Sequence, residues 1–441
     1  MMTQHDLVLQ ENRVIQEGYK QTEFGVIPES WEINTLEHFT DEKRPICYGI
    51  VQTGPKINSG VPCLRVVDIL DKKINTENLI YTTQEISSSY KRTILKKGDL
   101  VFPLRGKIGT VGLINEELVG ANLTRGVALI ALKKSNPIFL KQLFGSHKIL
   151  TQLHGSMNGS ALQEITIDTL KKFKVVMPDI VEQQKIATAL SDTDALISEL
   201  EKLIEKKQAI KNATMQQLLT GKTRLPEFAL REDGTPKGYK DSDLGQIPED
   251  WEVVQFDKHI EKIIGGGTPS RSIASYWGQD IPWVTVKDFA TFDPNSAQEY
   301  ITNQGLKSSA SNLIPAGILI TSTRMALGKA LIYQVDVAIN QDLKAIFTKT
   351  SLDATYLKYW FDNNAKKIDD LGSGSTVKGI SLPDLKTLSF IEMSLLEQLA
   401  IKNILVSIDK DLSLLKQRYE KTKSIKQGMM QELLTGKTRL V

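Results

Sequence analysis

From Ile186 the apolar positions step alternately by four and three residues: Ile186, Leu190, Thr193, Ile197, Leu200 and Ile204, then the more polar Lys207, Lys211 and Thr214, then Leu218. The same register returns 215 positions later as Ile401, Leu405, Ile408, Leu412, Leu415, Tyr419, Thr422, Lys426, Met429 and Leu433. A seam of 3.5-residue period, held for about four heptads in both places, predicts two long helices that supercoil around a partner. A second line in the first helix, Ala189, Leu196, Leu203 and Ile210 at strict sevens, leaves room for a third contact. Ahead of each helix the pattern changes. Short apolar or alternating runs such as VPCLRVVDI (61–69), DLVFPL (99–104), TVGLI (110–114) and VALIAL (127–132) are bounded by Gly, Pro and Asn and predict strands. The expected fold class is α+β: strand-rich domains, each followed by a long helix.

The chain is a duplication. LLTGKTRL at 218–225 returns letter for letter at 433–440, and GYKQTEFGVIPESWEI from Gly18 returns as GYKDSDLGQIPEDWEV from Gly238. Weaker matches inside the mixed regions pair Asp68 with Asp288, Arg105 with Arg324, and Gly109 with Gly328. The predicted organisation is an N-terminal segment (1–32), a first mixed domain (33–178), a first long helix (179–225), a linker with the repeated opening motif (226–252), a second mixed domain (253–392) and a second long helix (393–441). The first helix leaves one mixed domain at its start and reaches the other at its end. If the two helices pair, they therefore run antiparallel. About 39 residues at ~1.5 Å each give roughly 58 Å of helix.

Composition adds exclusions. No run approaches the ~18 apolar residues of a membrane helix, and the first twenty residues lack the apolar stretch of a signal peptide. With two cysteines, Cys47 and Cys63, in 441 residues, a disulfide framework is not expected, and the chain reads as cytoplasmic. Gly-Lys-Thr at 221–223 and 436–438 invites a phosphate-loop reading, but Gln216 and Gln431 stand where that loop needs glycine. A glycine cap closing each long helix is the simpler reading. The Gly-rich stretches at 265–267 and 371–376 lack dinucleotide spacing, and the five histidines form no metal motif. Pro178-Asp179 and Pro383-Asp384 lack the following Glu-x-Lys of a nuclease and read as turns toward the long helices. No catalytic set, cofactor or metal site emerges, which favours a binding role.

The net charge of +3, from 55 Lys+Arg against 52 Asp+Glu, averages over unlike parts. Residues 33–177 carry 20 basic and 12 acidic residues, whereas 253–390 carry 14 and 13. A basic domain suits phosphate contact with duplex DNA. Candidate DNA-binding residues in the first domain are Lys56, Lys91, Arg92, Arg105, Lys107 and Arg125. Those in the second are Arg271, Lys287, Lys307, Arg324, Lys329 and Lys378. Arg105 and Arg324 stand out because both copies keep arginine beside a glycine-bearing turn.

The repeated GYK…G.IPE.WE, the block TPSRSIASYWGQDIPWVTVKD (268–288), the helices led by Glu182 and Glu397, and the doubled LLTGKTRL together resemble the specificity subunits of type I restriction-modification systems. The likeness covers nearly the whole chain. It implies two target-recognition domains, each binding one part of a split, asymmetric DNA site. It also implies an antiparallel helical spacer that binds methyltransferase subunits, expected to number two, and through them the translocating nuclease subunits. S-adenosylmethionine and ATP would belong to those partners. The first domain has YGIVQTGPKINSGVP (48–62) in place of the TP…YW block, so the two half-sites are expected to differ.

Overall fold

The computed structural model describes residues 15–70, 73–106, 108–156, 164–373 and 378–441. It divides into two units, Met1–Glu201 with Arg418–Val441, and Lys202–Gln417. In the first unit a hairpin of Tyr19–Thr22 and Gly25–Pro28 precedes strand Glu32–Thr35, which pairs antiparallel with Lys174–Met177. The residues between those two strands therefore leave and return at one base. They build a four-stranded antiparallel sheet in the order Cys47–Tyr48, Val127–Ile130, Leu100–Pro103, Gly112–Leu113. A three-stranded sheet of Ile80–Thr82, Val61–Leu64 and Asn122–Leu123 includes one parallel pair. Leu100, Val101 and Phe102 are all fully buried, which is why that strand reads as a continuous apolar run and does not alternate.

The second unit repeats the plan. Glu252–Gln255 pairs with Ser389–Glu392 at the base, and Ile260–Gly265, Leu343–Thr348, Leu319–Ser322 and Ala330–Ile332 form the corresponding sheet. One stretch expected as strand is shorter in both units. VPCLRVVDI is extended only over Val61–Leu64, because Asp68 accepts the Arg65 backbone N–H at 2.8 Å and its guanidinium, bending Val66–Asp68 into a 3-10 turn. Asp288 does the same for the Thr285 N–H at 2.7 Å. The matched aspartates are thus turn formers.

The long helices are Ile180–Leu219, 40 residues, and Leu395–Leu433, 39 residues, and each contributes to both units. In the first unit Ile186 and Leu190 share a core with Leu433 and Leu434; in the second, Leu218 and Leu219 share one with Ile401 and Leu405. The start of each helix thus packs against the end of the other, so they run antiparallel. Of the seam positions, Ile197, Leu200 and Leu412 are buried, while Ile204, Ile408 and Leu415 are half-buried. Full burial of each such side chain is worth about 1.5–3 kcal/mol. Polar seam positions find carboxylates: Lys426 lies 2.7 Å from Asp194, and its equivalent Lys211 lies 2.6 Å from Asp409. Leu196, Leu203 and Ile210 of the second apolar line are exposed.

The repeated motifs meet at the helix ends. In the first unit the buried carboxylate of Glu182 accepts Trp31 Nε1–H at 2.9 Å and Arg439 Nε–H and Nη2–H at 2.7 and 2.8 Å. In the second unit Glu397 accepts Trp251 Nε1–H at 3.0 Å and Arg224 Nε–H and Nη2–H at 3.0 and 2.8 Å. The neighbouring glutamines reach into the mixed domains. Gln183 Oε1 accepts the Asn136 N–H and Gln398 Oε1 the Asp353 N–H, each at the start of a domain helix. Gly221 and Gly436, with φ of 72° and 75°, follow the helix ends, and a Cβ on either would lie 2.4 Å from Pro248 or Pro28. Gly-Lys-Thr is therefore a helix stop that lets the chain close onto the opening motif.

Of the two turn expectations, one needs correction. Asp179 Oδ1 accepts the Val181 and Glu182 N–H groups at the first turn of the long helix. Pro383-Asp384, however, sits inside the short helix Leu382–Lys386, capped by Ser381, and a strand intervenes before the second long helix. Cys63 is buried and Cys47 half-buried, and both are free thiols.

Candidate nucleic-acid interface

In each unit the strand that carries the conserved turn of the duplication ends at an exposed arginine. After Leu100–Pro103 the chain reaches Arg105 and turns at Gly106, φ 77°. Arg105 forms an antiparallel bridge with Glu164, while Leu104 donates to Gly126 O at 2.9 Å and accepts from Ile165 N–H at 2.8 Å. A Cβ on Gly126 would lie 3.3 Å from Arg105 Nε, so the glycine gives the guanidinium its space. Arg105 has no ion pair among the described residues.

In the second unit Arg324 follows Leu319–Ser322 and bridges Gly379 in the same manner. Its neighbour Met325 holds φ 67° with 69% of its surface exposed. That conformation costs a side-chain-bearing residue about 1–2 kcal/mol. The turn is held by Met325 N–H to Lys378 O at 3.2 Å, Ala326 N–H to Arg324 O at 2.8 Å, and Ser322 Oγ against both Arg324 N–H and O. Asp342, the carboxylate beside Arg324, stands 3.8 Å away, too far for a hydrogen bond.

The other candidates fall into three groups. Arg125 is exposed and sits next to Gly126, so the structure brings it together with Arg105; it lines a cleft of about 480 Å³ with Tyr48, Val51, Glu164 and Asp168. Lys378 joins the Arg324 turn and also pairs with Asp369 at 2.8 Å. Arg271 is committed elsewhere: it grips Glu299 through two bonds of 2.7 and 2.9 Å and lies 3.8 Å above the Trp277 ring, pinning the TPSRSIASYW block. Lys56, Lys91, Arg92, Lys287, Lys307 and Lys329 are exposed. Among the described residues no bridge or hydrogen bond ties Lys56, Lys91, Lys287 or Lys307 to the arginine turns. Lys107 lies outside the described residues.

Two residues near the second turn were missed by sequence reasoning. Lys344 donates to Gln341 O at 2.8 Å; burial draws its ammonium below the ordinary range, Asp342 opposing this and Arg324 adding to it. Gln341 itself accepts from Thr268 Oγ at 2.6 Å. The parallel pairs Cys63 with Asn122 and Trp283 with Ala338 place Gln341 opposite Arg125 in the duplication. The offset of the repeat falls from 219 at Arg105 and Arg324 to 216 here, and that three-residue slip hides the match in a sequence comparison. The Gly-rich stretch at 265–267 is structural too. A Cβ on Gly266 would lie 1.8 Å from Ile339 O, and one on Gly49 would lie 2.0 Å from Leu123 O, so both glycines let backbone pass against backbone. The described residues hold no cluster suited to a metal ion.

The geometry can therefore offer positively charged, backbone-fixed turns to an anionic polymer, once per unit. Comparison with known proteins agrees with a doubled plan. The family described as "Type I restriction modification DNA specificity domain" matches residues 55–212 and again 248–424. A putative type I restriction enzyme MjaX specificity subunit of Methanocaldococcus jannaschii is 29% identical over 96% of this chain and 97% of its own. The type I restriction enzyme EcoBI specificity subunit of Escherichia coli is 32% identical over 44% of this chain and 41% of its own. Among solved structures, the type I restriction-modification S subunit from M. genitalium superposes with a TM-score of 0.56 at 13% identity, over 91% of this chain and 96% of that one. A chain from a study of assembly and conformational transition in the type I system gives 0.55 at 18% identity, over 93% and 99%.

Proposed function

The chain belongs to the DNA specificity family of type I restriction-modification systems, subunits that recognise DNA without catalysing its modification, and on that premise we propose that its two mixed domains each read one half of a bipartite, asymmetric site. The observation that carries this is the recurrence of one device, an exposed arginine on a bonded turn, at Arg105 in one unit and Arg324 in the other. Phosphate-directed Lys and Arg set the register, and the polar side chains around them, Gln341 among them, reach base edges. The differing neighbourhoods of the two turns, Gly106 and Arg125 against Met325 and Lys344, support different half-sites. The remaining candidate lysines and arginines, from Lys56 to Lys378, serve as phosphate contacts, except Arg271, whose donors face Glu299.

The paired helices set the unread spacer and dock methyltransferase subunits, through which nuclease subunits join. Their exposed line of Leu196, Leu203 and Ile210 supports a helical partner. The mixed domains span 33–178 and 253–392, a division supported by the pairing of Glu32–Thr35 with Lys174–Met177 and of Glu252–Gln255 with Ser389–Glu392. The chain acts in the cytoplasm, where its DNA is. Selection from randomised duplexes, with the chain alone and with its methyltransferase subunit, enriches a gapped two-part sequence. Enrichment of one contiguous motif, or of none in the complex, refutes the reading.

A further inference from the structure

The duplication supplies an internal reference for each place in the fold, and the units differ where a domain helix meets the long helices. In the second unit Tyr359, on helix Ala354–Leu371, donates its hydroxyl to Asp409 at 2.7 Å, and its ring lies 5.3 Å from Lys211 Nζ. The equivalent residue in the first unit is Gln142, which donates to Asp194 at 2.7 Å and has no ring. There the domain helix is also broken in two, Pro137–Phe144 and His147–Gly155. Beside Lys426, the counterpart of Lys211, a cavity of about 590 Å³ opens. Its walls are mainly apolar, from Phe24, Ile27, Ile149, Ile197 and Met430.

The rim has a definite charge. Lys148, Lys423, Lys426 and Lys437 line the cavity against one carboxylate, Asp194, which already binds Lys426 at 2.7 Å and Gln142. Burial, aided by Lys437, draws the Lys148 ammonium below its ordinary range, so an arriving anion restores what burial removed. We propose that this cavity is a docking site for an aromatic side chain carried on an acidic segment of a partner protein. The aromatic group takes the role that Tyr359 fills from within the second unit, and the flanking carboxylates meet the lysine rim. The two halves of the chain thereby differ in what they bind as well as in the DNA they face.

The test uses the full-length chain and a fluorescein-labelled peptide, Glu-Glu-Trp-Glu-Glu, followed by anisotropy. Saturable binding is expected, weakened about tenfold or more when the peptide tryptophan becomes alanine, as for a buried aromatic anchor. Gln142→Tyr, which imitates the second unit, and Lys437→Glu on the rim each weaken it by about tenfold, the latter serving should the former not fold. Arg105→Ala leaves it unchanged. Absence of saturable binding overturns the proposal, as does equal binding of the alanine peptide, which marks a general polyanion effect. A gain of about tenfold on removal of residues 1–14 overturns it as well, since the cavity then belongs to the chain's own N-terminal segment.

Discussion

Arg439→Met isolates the worth of the buried Trp–Glu–Arg cluster. Glu182 is 1% exposed and receives four donors: Trp31 Nε1–H, two from Arg439, and the Leu440 N–H at 3.3 Å. Removing the guanidinium leaves a buried carboxylate with two neutral donors, and breaking a buried pair in this way costs about 3–5 kcal/mol. The surviving donors and the partial exposure of Arg439 set the value near the lower end, about 3 kcal/mol. For a unit of about 225 residues this lowers the melting temperature by roughly 6–12 °C. Arg224→Met in the second unit costs more, near 5 kcal/mol, because Arg224 is almost fully buried and also holds Asp250 at 2.7 Å, so Glu397 loses its cation and Asp250 keeps only Lys237 at 2.8 Å. Adding Glu182→Gln to Arg439→Met removes the uncompensated charge while keeping an acceptor for Trp31, and returns about half of the loss. Calorimetry of these three variants beside the unaltered chain measures each term. A loss below about 0.5 kcal/mol for Arg439→Met, the size of an ordinary surface change, refutes the reasoning. So does a greater loss for Arg439→Met than for Arg224→Met.

Four further outcomes are expected. Gly436→Ala destabilises by at least about 2 kcal/mol in thermal melts, since φ of 75° and a 2.4 Å approach to Pro28 both oppose a Cβ. Arg105→Ala and Arg324→Ala each weaken DNA binding by the complex and reduce the slope of log affinity against log salt by about one, read from titrations at several salt concentrations. Acid destabilises the second unit through His259: burial lowers its pKa despite Glu392 at 3.3 Å, so neutral imidazole is the folded form. Its contribution is complete above the unfolded value of about 6.5 and is lost as pH falls from there through the folded value. His259→Phe, copying Phe39 at the equivalent place, flattens that loss in melts between pH 7 and 5. Finally, matched seven-residue insertions in both helices, within 205–220 and opposite it, change the preferred gap in a DNA selection and leave the half-sites unchanged.

Much of the framework was legible because it rests on periodicity and exact repetition. The four-three stepping from Ile186 and Ile401 locates the seam, and the doubled LLTGKTRL and WE motifs locate its ends. What repetition could not show is that Arg439 serves Trp31 while Arg224 serves Trp251, since a match gives equivalence and not contact. The candidate interface was most legible at Arg105 and Arg324, where both copies kept one residue, and Arg125 and Lys378, picked by charge, stand beside those turns. Arg271 looked as suitable as Arg324 by charge and loop context, and only the positions of Glu299 and Trp277 show where its donors go. Lys344 and Gln341 lay hidden because strand register, fixed by backbone pairing, shifts the alignment by three. Pro383-Asp384 misled because it shares only its letters with Pro178-Asp179: by the repeat it matches Asp168-Thr169 inside the short helix Ile167–Lys172, while Pro178-Asp179 matches Met393-Ser394 at the start of the long helix.

The first unit draws its last pieces, Leu433, Leu434 and Arg439, from residues that leave the ribosome well over 200 positions after its helix passes Glu201. The second unit is one continuous stretch, Lys202–Gln417. At roughly 5–20 residues per second, the first unit waits on the order of 10–50 s with the face around Trp31, Ile186 and Leu190 uncovered. The order of completion thus inverts the order of synthesis: the later half closes first, and the earlier half is the one that chaperones would have to guard.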